Sequence, residues 1–216
     1  MKPVLEINYR MTDRETRLVF LIDTNCINSR HKLPAMNRLE KWAHDHVIDL
    51  FMSDISHREA KASRNSKRTR KALCTGYTIS FRNEPGVQDM HDRITAILFP
   101  NGCRSQRDAN DARIVLNAWH YRPYILITAD RAILRRRNEL ENLGIMVMTG
   151  AEAVALVEKR IQERDRDARA DAAWSGEPLP EWVGKDCASA GHSFADVAVV
   201  GGHRCPSLGP SASRSF

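Results

Sequence analysis

The sequence has few aromatic residues, no paired cysteine motif and no long apolar run. Phe, Trp and Tyr make up 6% of the 216 residues, which argues against a surface that stacks successive nucleobases. The five cysteines are scattered and form no Cys-x-x-Cys pair, so no disulfide framework is indicated. No run approaches the roughly 20 apolar residues that span a bilayer, and the amino terminus lacks an apolar signal region. We therefore expect a soluble, cytoplasmic protein without a membrane segment.

The charge balance is moderately basic. Lys and Arg total 33 against 27 Asp and Glu, which gives a formal charge of +6 and a pI near 9.2. Such an excess favours a polyanionic partner such as nucleic acid, although ordinary soluble proteins also show it. The length suffices for one sizeable core and an appendage.

Short apolar runs alternate with stretches of helical periodicity. The strands are predicted at 18–23, 47–53, 124–128 and 144–149. The helices are predicted at 36–46, 87–98, 108–121, 131–141 and 151–163, with a basic helical stretch over 55–73. Parallel strands need crossover helices, so this alternation predicts an α/β sandwich around a parallel sheet.

The last part of the chain changes character beyond about Asp171. Residues 174–216 hold 6 Gly, 4 Pro and 7 Ser among 43 residues and show no helical periodicity. This composition predicts a flexible tail, with Trp174 and Trp182 as docking points onto the domain.

Four acidic residues lie where strands end or helices begin, and each has a local explanation. Asp23 can start an Asx turn, and Asp130 can cap the helix that follows it. Glu59 forms a Ser-x-x-Glu capping box with Ser56, and Asp111 suits the first turn of its helix.

Taken together, the four acids indicate a metal site. Three of them follow predicted strands, whose carboxyl ends form the ligand crevice of open α/β sheets. Clustered carboxylates repel one another unless a cation lies between them, and all-oxygen ligands favour Mg²⁺ or Mn²⁺ over zinc. Asp108, three residues before Asp111, shares its helix face and either reaches a second ion through water or caps the helix.

Four sequence blocks carry a family resemblance. LVFLIDTNCI, FMSDISHREA, NDARIVLNA and ILITADRAI resemble the four motif blocks of the PIN domain, in that order. The resemblance covers roughly residues 16–160. It implies a three-layer α/β/α sandwich around a parallel sheet, as a PIN-like nuclease domain over 16–163. An N-terminal extension would then occupy 1–15, and a charged helix end and tail 164–216.

The resemblance also implies an activity and its residues. It implies an endoribonuclease, of the kind seen in VapC-type toxins, that hydrolyses RNA phosphodiester bonds with a metal-activated water. Asp23, Glu59, Asp111 and Asp130 would hold Mg²⁺ or Mn²⁺, while Asn25 and Thr128 would support the site. RNA is the implied substrate, and a cognate antitoxin protein and a homodimer remain open. The long basic segment, the N-terminal extension and the tail depart from the compact toxins and put the toxin role in doubt.

Two basic segments begin beside implied metal ligands. Residues 58–71 contain seven Lys or Arg and one acid, and further arginines follow Asp130. They suit a surface that tracks the phosphates of RNA, although a solvated helix face or a docking surface for an acidic partner has the same composition. The candidate RNA contacts are Arg58, Lys61, Arg64, Lys67, Arg68, Arg131 and Arg135.

Other readings of the sequence are weaker. The tail contains zinc-ligand types at Cys187, His192, His203 and Cys205, but their spacing matches no familiar zinc motif. A phosphatase would need a second Asp where Asn25 stands. Ser53 suits a helix cap better than a nucleophile, and His57 suits the surface better than catalysis. The main alternative is a non-catalytic PIN module that binds RNA or a protein through its basic surfaces.

Overall fold

The computed structural model describes residues 18–27, 32–62, 67, 69, 77–79, 87–120 and 124–186. Several predicted features lie outside these residues. They are the extension 1–15, the tail beyond 186 with its four zinc-type side chains, and the basic residues Arg64 and Arg68.

A five-stranded parallel sheet forms the centre of the molecule. Its strands are β1 (Val19–Ile22), β2 (Asp49–Ser53), β3 (Tyr77–Ile79), β4 (Ile125–Ile127) and β5 (Met146–Met148). They are ordered β3-β2-β1-β4-β5, and every neighbouring pair is parallel. The first strand is therefore central, and Leu21 pairs with Phe51 on one side and with Leu126 on the other.

Helices connect the strands and cover both faces of the sheet. They are α1 (Pro34–His44), α2 (Asp54–Ala62), α3 (Val87–Leu98), α4 (Gln106–His120), α5 (Arg131–Arg135), α6 (Arg137–Glu141) and α7 (Gly150–Ser175). A short 3-10 turn, Thr24–Cys26, follows β1.

Alternating strand residues build two separate cores. Leu21 and Leu126 point to the face covered by α3, α4 and α6, while Phe20 and Ile22 point to the face covered by α1 and α7. Strands buried on both faces carry continuous apolar runs, which is the pattern that predicted them. The predicted α/β/α sandwich around a parallel sheet is confirmed.

Several predicted boundaries differ from the structure. The three-residue strand β3 was not predicted, because such a short segment lacks a long apolar run. The helix predicted over 131–141 is two helices that meet at Arg136. The helix predicted over 151–163 continues to Ser175, because its charged part is rich in Ala and Arg, which favour helices. It ends at Gly176, whose φ of 75° is accessible to glycine without strain.

Residues 176–186, here called the C-terminal strap, fold back along α7. Gly184 N donates to Asp165 Oδ2 at 2.7 Å, and Asp186 accepts a hydrogen bond from the indole of buried Trp42. The Arg164 guanidinium lies 4.7 Å from the centre of the Trp182 ring, so Trp182 docks as predicted. Trp174 does not dock and is 92% exposed, because it lies on the outer side of the last helical turn.

Within the described residues, no helix has both the length and the hydrophobicity of a membrane-spanning segment.

Candidate active site

Asp23 lies at the carboxyl end of the central strand. Its backbone N–H donates to the Ile127 carbonyl at 2.9 Å, which extends the pairing of β1 with β4 by one residue. Thr128 N donates to the Met148 carbonyl at 3.1 Å in the same way. Because both residues continue a rigid parallel ladder, their side chains are fixed at one edge of the sheet, and Asp23 is only 4% exposed.

Neutral hydrogen-bond donors hold the Asp23 carboxylate. Thr128 Oγ1 donates to Asp23 Oδ2 at 2.6 Å, and Asn25 Nδ2 donates to the same oxygen at 2.8 Å. Asn25 Oδ1 in turn accepts from Ala129 N at 3.0 Å and from Cys26 Sγ at 3.2 Å. Burial raises the pKa of the Cys26 thiol to about 12, so Cys26 stays protonated and able to donate. The Asn25 amide is thus fixed at both ends.

Glu59 joins three segments of the chain. It projects from α2, and its Oε2 accepts from Thr24 Oγ1 at 2.6 Å, while its Oε1 accepts from Asn110 Nδ2 at 2.7 Å. The predicted capping box of Ser56 and Glu59 is therefore wrong, since Ser53 Oγ accepts the Ser56 N–H at 3.0 Å instead. Ser53 caps the helix, as predicted.

Asp130 uses one carboxylate oxygen as a helix cap. Its Oδ1 accepts from Ala132 N at 2.6 Å and from Ile133 N at 3.3 Å, as the N-cap reading predicted. The other oxygen, Oδ2, lies 3.9 Å from Arg107 Nη2. The cap orients the carboxylate, so one oxygen remains directed away from the helix backbone.

Burial and neighbouring acids raise the pKa of two of the four acids, Asp111 and Asp23. Burial is the largest cause that raises the pKa of Asp111 from its ordinary value of 3.8 to about 7, and the charges of Asp23, Asp130 and Glu59 add to the rise. Burial likewise raises the pKa of Asp23, with further contributions from Glu59 and Asp130. Four carboxylates from four chain segments therefore lie close enough to repel one another.

Asp108 differs from Asp111 although the two are one helical turn apart. Asp108 Oδ2 accepts from Arg104 N at 2.8 Å and from Ser105 N at 3.1 Å. These bonds hold the pKa of Asp108 below its usual value, first of all the one from Arg104. Its carboxylate therefore closes the loop that precedes α4, which is the capping role that the sequence left open.

The acids supply the oxygen ligands that a hard divalent cation prefers, but their present positions do not form a complete site. The cluster offers only oxygen ligands, and its mutual repulsion is what a cation would relieve. Among the described residues, however, no three His, Cys, Asp or Glu side chains converge closely enough to share one ion. Glu59 has both carboxylate oxygens engaged by hydrogen bonds, and Asp130 has one. Binding an ion here therefore requires some of these side chains to rotate.

Four residues of this network were not predicted from the sequence. Thr24, Cys26, Asn110 and Arg107 contact the acids or orient the side chains that do. The adjacency of Asn110 to Asp111 and of Thr24 to Asp23 is the signal that could have found two of them. The remaining contacts depend on which helices meet.

The described basic candidates lie on the surface. Arg58 and Lys61 are exposed on α2, Lys67 is exposed further along the chain, and Arg131 and Arg135 are exposed on α5. Arg58 Nη2 pairs with Asp54 Oδ2 at 3.0 Å across one helical turn. Both α2 and α5 begin after strands β2 and β4, at the edge of the sheet that carries Asp23, Glu59, Asp111 and Asp130 and is here called the acidic edge.

Neither a protein-family model nor a curated protein matches the chain. Among solved structures, it is similar to a chain in the crystal structure of VapBC2 from Rickettsia felis bound to a DNA fragment from their promoter. The identity is 13%, the TM-score is 0.44, and the match covers 61% of this chain and 98% of that chain.

Proposed function

We propose that the protein is a metal-dependent endoribonuclease of the PIN type, with Asp23, Glu59, Asp111 and Asp130 as ligands of Mg²⁺ or Mn²⁺. The observation that supports the proposal is that four acids from four segments lie near enough to one another, at the carboxyl edge of a parallel sheet, for their charges to raise the pKa of Asp111 and Asp23. Repulsion contributes to the raised pKa of Asp111, about 7. Mutual repulsion of carboxylates costs stability, and groups arranged in this way are found most often at functional sites. The four motif blocks support the family assignment.

The residues around the acids have distinct tasks in this proposal. A bound Mg²⁺ or Mn²⁺ would supply the charge that activates water and stabilises the phosphoryl oxygens. Thr128 and Asn25 hold Asp23 in one orientation, through bonds of 2.6 Å and 2.8 Å. Arg107, which is 78% exposed and next to Asp130, can contact a phosphate of the substrate. Arg58, Lys61, Arg131 and Arg135 extend that contact along the RNA backbone.

RNA cleavage with purified protein tests the proposal. We expect the full chain to cut single-stranded RNA internally with Mn²⁺ or Mg²⁺ and to stop when EDTA is added. Asp23→Asn and Asp111→Asn should each lose the activity while circular dichroism stays unchanged. The matched control is Asp171→Asn, the same change at an exposed position of α7. Full cleavage by either site variant would contradict the proposal.

A toxin role is a narrower proposal within the same function. It requires that expression of the chain alone arrests growth, and that co-expression of a cognate antitoxin relieves the arrest. An arrest that persists in the Asp23→Asn variant would mean that nuclease activity is not its cause.

A second candidate is a non-catalytic PIN module that binds RNA or a protein through its basic surfaces. The observation that favours it is that the Glu59 oxygens are already bonded to Thr24 and Asn110 within the chain. In that case RNA binding would be saturable and salt-dependent, without cleavage in Mn²⁺ and without a change in Asp23→Asn.

A further inference from the structure

A cavity lies between α2, α3 and α4, and two of these helices also carry the acids Glu59 and Asp111. Its volume is about 450 Å³, which is within the roughly 300–1,000 Å³ typical of small-molecule sites. Three buried apolar side chains line part of it: Ile55, Val87 and Leu116, which are 5%, 4% and 2% exposed. The cavity therefore has an apolar wall suited to a flat or aliphatic group.

Two of the side chains that line the cavity, His91 and Asp54, carry buried polar atoms. Within the described part of the chain, both ring nitrogens of His91 and Oδ1 of Asp54 are buried and have no hydrogen-bond partner. Asp92 Oδ1 lies 3.5 Å from His91 Nδ1, but their geometry does not form a hydrogen bond. The other oxygen of Asp54 pairs with Arg58. Buried groups of this kind normally have partners. Because these atoms are themselves buried, a ligand in the cavity would bind them only after the His91 or Asp54 side chain rotates toward it.

The charge of the cavity suits an anionic ligand that also carries hydrogen-bond donors. Two arginines, Arg58 and Arg113, line it together with one carboxylate, Asp54, and the amide of Gln88. Arginine recognises phosphate through its planar fork of donors, and a carboxylate accepts hydrogen bonds from the amino group of a base. A ligand with a phosphate and a base edge would use both kinds of group.

The same helices carry the cavity and the acids. Arg58 directly precedes Glu59 on α2, and Arg113 follows Asp111 by two residues on α4. Asp54 is five residues before Glu59, and Leu116 is five residues after Asp111. At 1.5 Å per helical residue, the lining residues of α2 and α4 lie at most about 7.5 Å from the acids along the helix axes, although Arg58 and Arg113 project from other faces of these helices than Glu59 and Asp111. A base attached to a nucleotide next to the cleaved bond could reach the cavity.

We propose that this cavity is a base-recognition subsite that takes one unstacked nucleotide of single-stranded RNA beside the cleaved bond. The proposal rests on the proposed nuclease function. Proteins read RNA by splaying out single bases, stacking them on His rings or Arg planes and hydrogen-bonding to their edges. Here His91 and the arginines supply the stacking and phosphate contacts. Asp54 and Gln88 supply the contacts to the base edge.

Binding measurements without metal test the subsite separately from cleavage. In EDTA, we expect one of the four nucleoside 5′-monophosphates to bind the full chain more tightly than the others and than inorganic phosphate. Gln88→Ala and His91→Ala should each weaken this binding on the order of tenfold, the usual effect of one lost hydrogen bond. Gln162→Ala makes the same change on the exposed face of α7 and should have no effect. Gln88 is exposed, so its variant is informative even if His91→Ala fails to fold.

Sequencing the cleavage sites of a random RNA pool in Mn²⁺ connects the subsite to the reaction. We expect a preference for one base at a fixed distance from the cut, and Gln88→Ala should relax this preference among the cleavage events that remain. Cleavage without a base preference, or nucleotide binding no tighter than that of inorganic phosphate, would overturn the subsite but not the nuclease. Nucleotide binding that depends on Gln88, with no RNA cleavage at all, would overturn the proposed function and leave a nucleotide site.

Discussion

Asp23 and Asp165 are both buried aspartates, at 4% and 6% exposure, yet their surroundings differ in every respect. Asp165 lies on α7, where Oδ1 accepts from Arg164 Nη2 at 2.8 Å and Oδ2 accepts from the Gly184 N–H. Its charge is thus paired and fixes the C-terminal strap. Among the described residues, the Asp23 carboxylate accepts from neutral donors, namely the side chains of Thr128 and Asn25 and the backbone N–H of Thr24. It forms no ion pair with any described residue and is repelled by Glu59 and Asp130.

The difference shows what separates a structural from a functional acid in this fold. A buried carboxylate that stabilises the fold has a cationic partner, because an unpaired buried charge is costly. A carboxylate that is buried among other acids leaves a charge that a ligand can neutralise. Four experiments test this contrast, beginning with the largest expected effect.

The largest effect is expected on activity. Asp23→Asn should reduce RNA cleavage by on the order of 10²-fold or more, since even the residues that support metal ligands matter 10–100-fold. Asp165→Asn should leave cleavage per folded molecule unchanged, because Asp165 belongs to the strap. Initial rates normalised to the folded fraction provide the measurement. Equal losses of cleavage activity in the two variants would show that Asp23 and Asp165 do not differ in function.

Metal binding should stabilise the protein through the acidic edge only. At a Mn²⁺ concentration about a hundredfold above Kd, wild type should gain about 2.7 kcal/mol in the free energy of unfolding. Mn²⁺ should raise the free energy of unfolding of Asp165→Asn by the same amount, although this variant is less stable than wild type without metal. It should raise that of Asp23→Asn only a little. Thermal unfolding with and without Mn²⁺ measures this, and an unchanged midpoint in wild type would favour the non-catalytic module.

Loss of the paired acid should destabilise the fold. Asp165→Ala should lower the free energy of unfolding by about 1–3 kcal/mol, because it removes the acceptor of the Gly184 N–H and one of the acceptors of the half-buried Arg164 guanidinium. Asp167→Ala is the matched control: it also follows an arginine and pairs with it at 3.2 Å, but it is exposed. Its effect should stay within about 0.5 kcal/mol. Urea denaturation separates the two, and equal effects would show that burial of Asp165 is unimportant.

The smallest effect is expected in the pH dependence of stability without metal. Because the pKa of Asp111 is raised in the fold from 3.8 to about 7, the folded protein binds more protons than the unfolded chain in this range. The stability of wild type relative to Asp111→Asn should therefore fall as pH rises from about 4 to about 7 and level off above it. Solvent screens this half-buried group, so the change should be modest. Denaturation in EDTA across this range measures it, and a relative stability that rises with pH would contradict the raised pKa.

Much of the fold could be predicted from local patterns. The helix predicted over 87–98 matches α3 at both ends, because its apolar stripe is unbroken from Val87 to Leu98. The four predicted strands are present with boundaries shifted by one or two residues. The strand β3 and the docking of the strap could not be predicted, because both depend on partners distant in the chain.

The candidate site, too, could be predicted only in part. All four acids were identified from their positions after strands and in first helical turns. The bonds from Thr24 and Asn110 to Glu59 cross 35 and 51 residues of chain, so no local pattern could reveal them. The same holds for the ion pair of Arg107 with Asp130.

The sequence by itself determined the elements, the layers and the residue types available for chemistry, because helical and strand periodicity are local properties of the chain. Tertiary structure alone decided how each acid is used. Asp108 closes a loop while Asp111, one turn later, is half-buried among other carboxylates. Asp165, which follows Arg164 in the chain, is buried by the strap, whereas Asp23 is surrounded by neutral donors and other acids. Burial and neighbouring charge set the ionisation of a carboxylate, and both are fixed only when distant segments pack together.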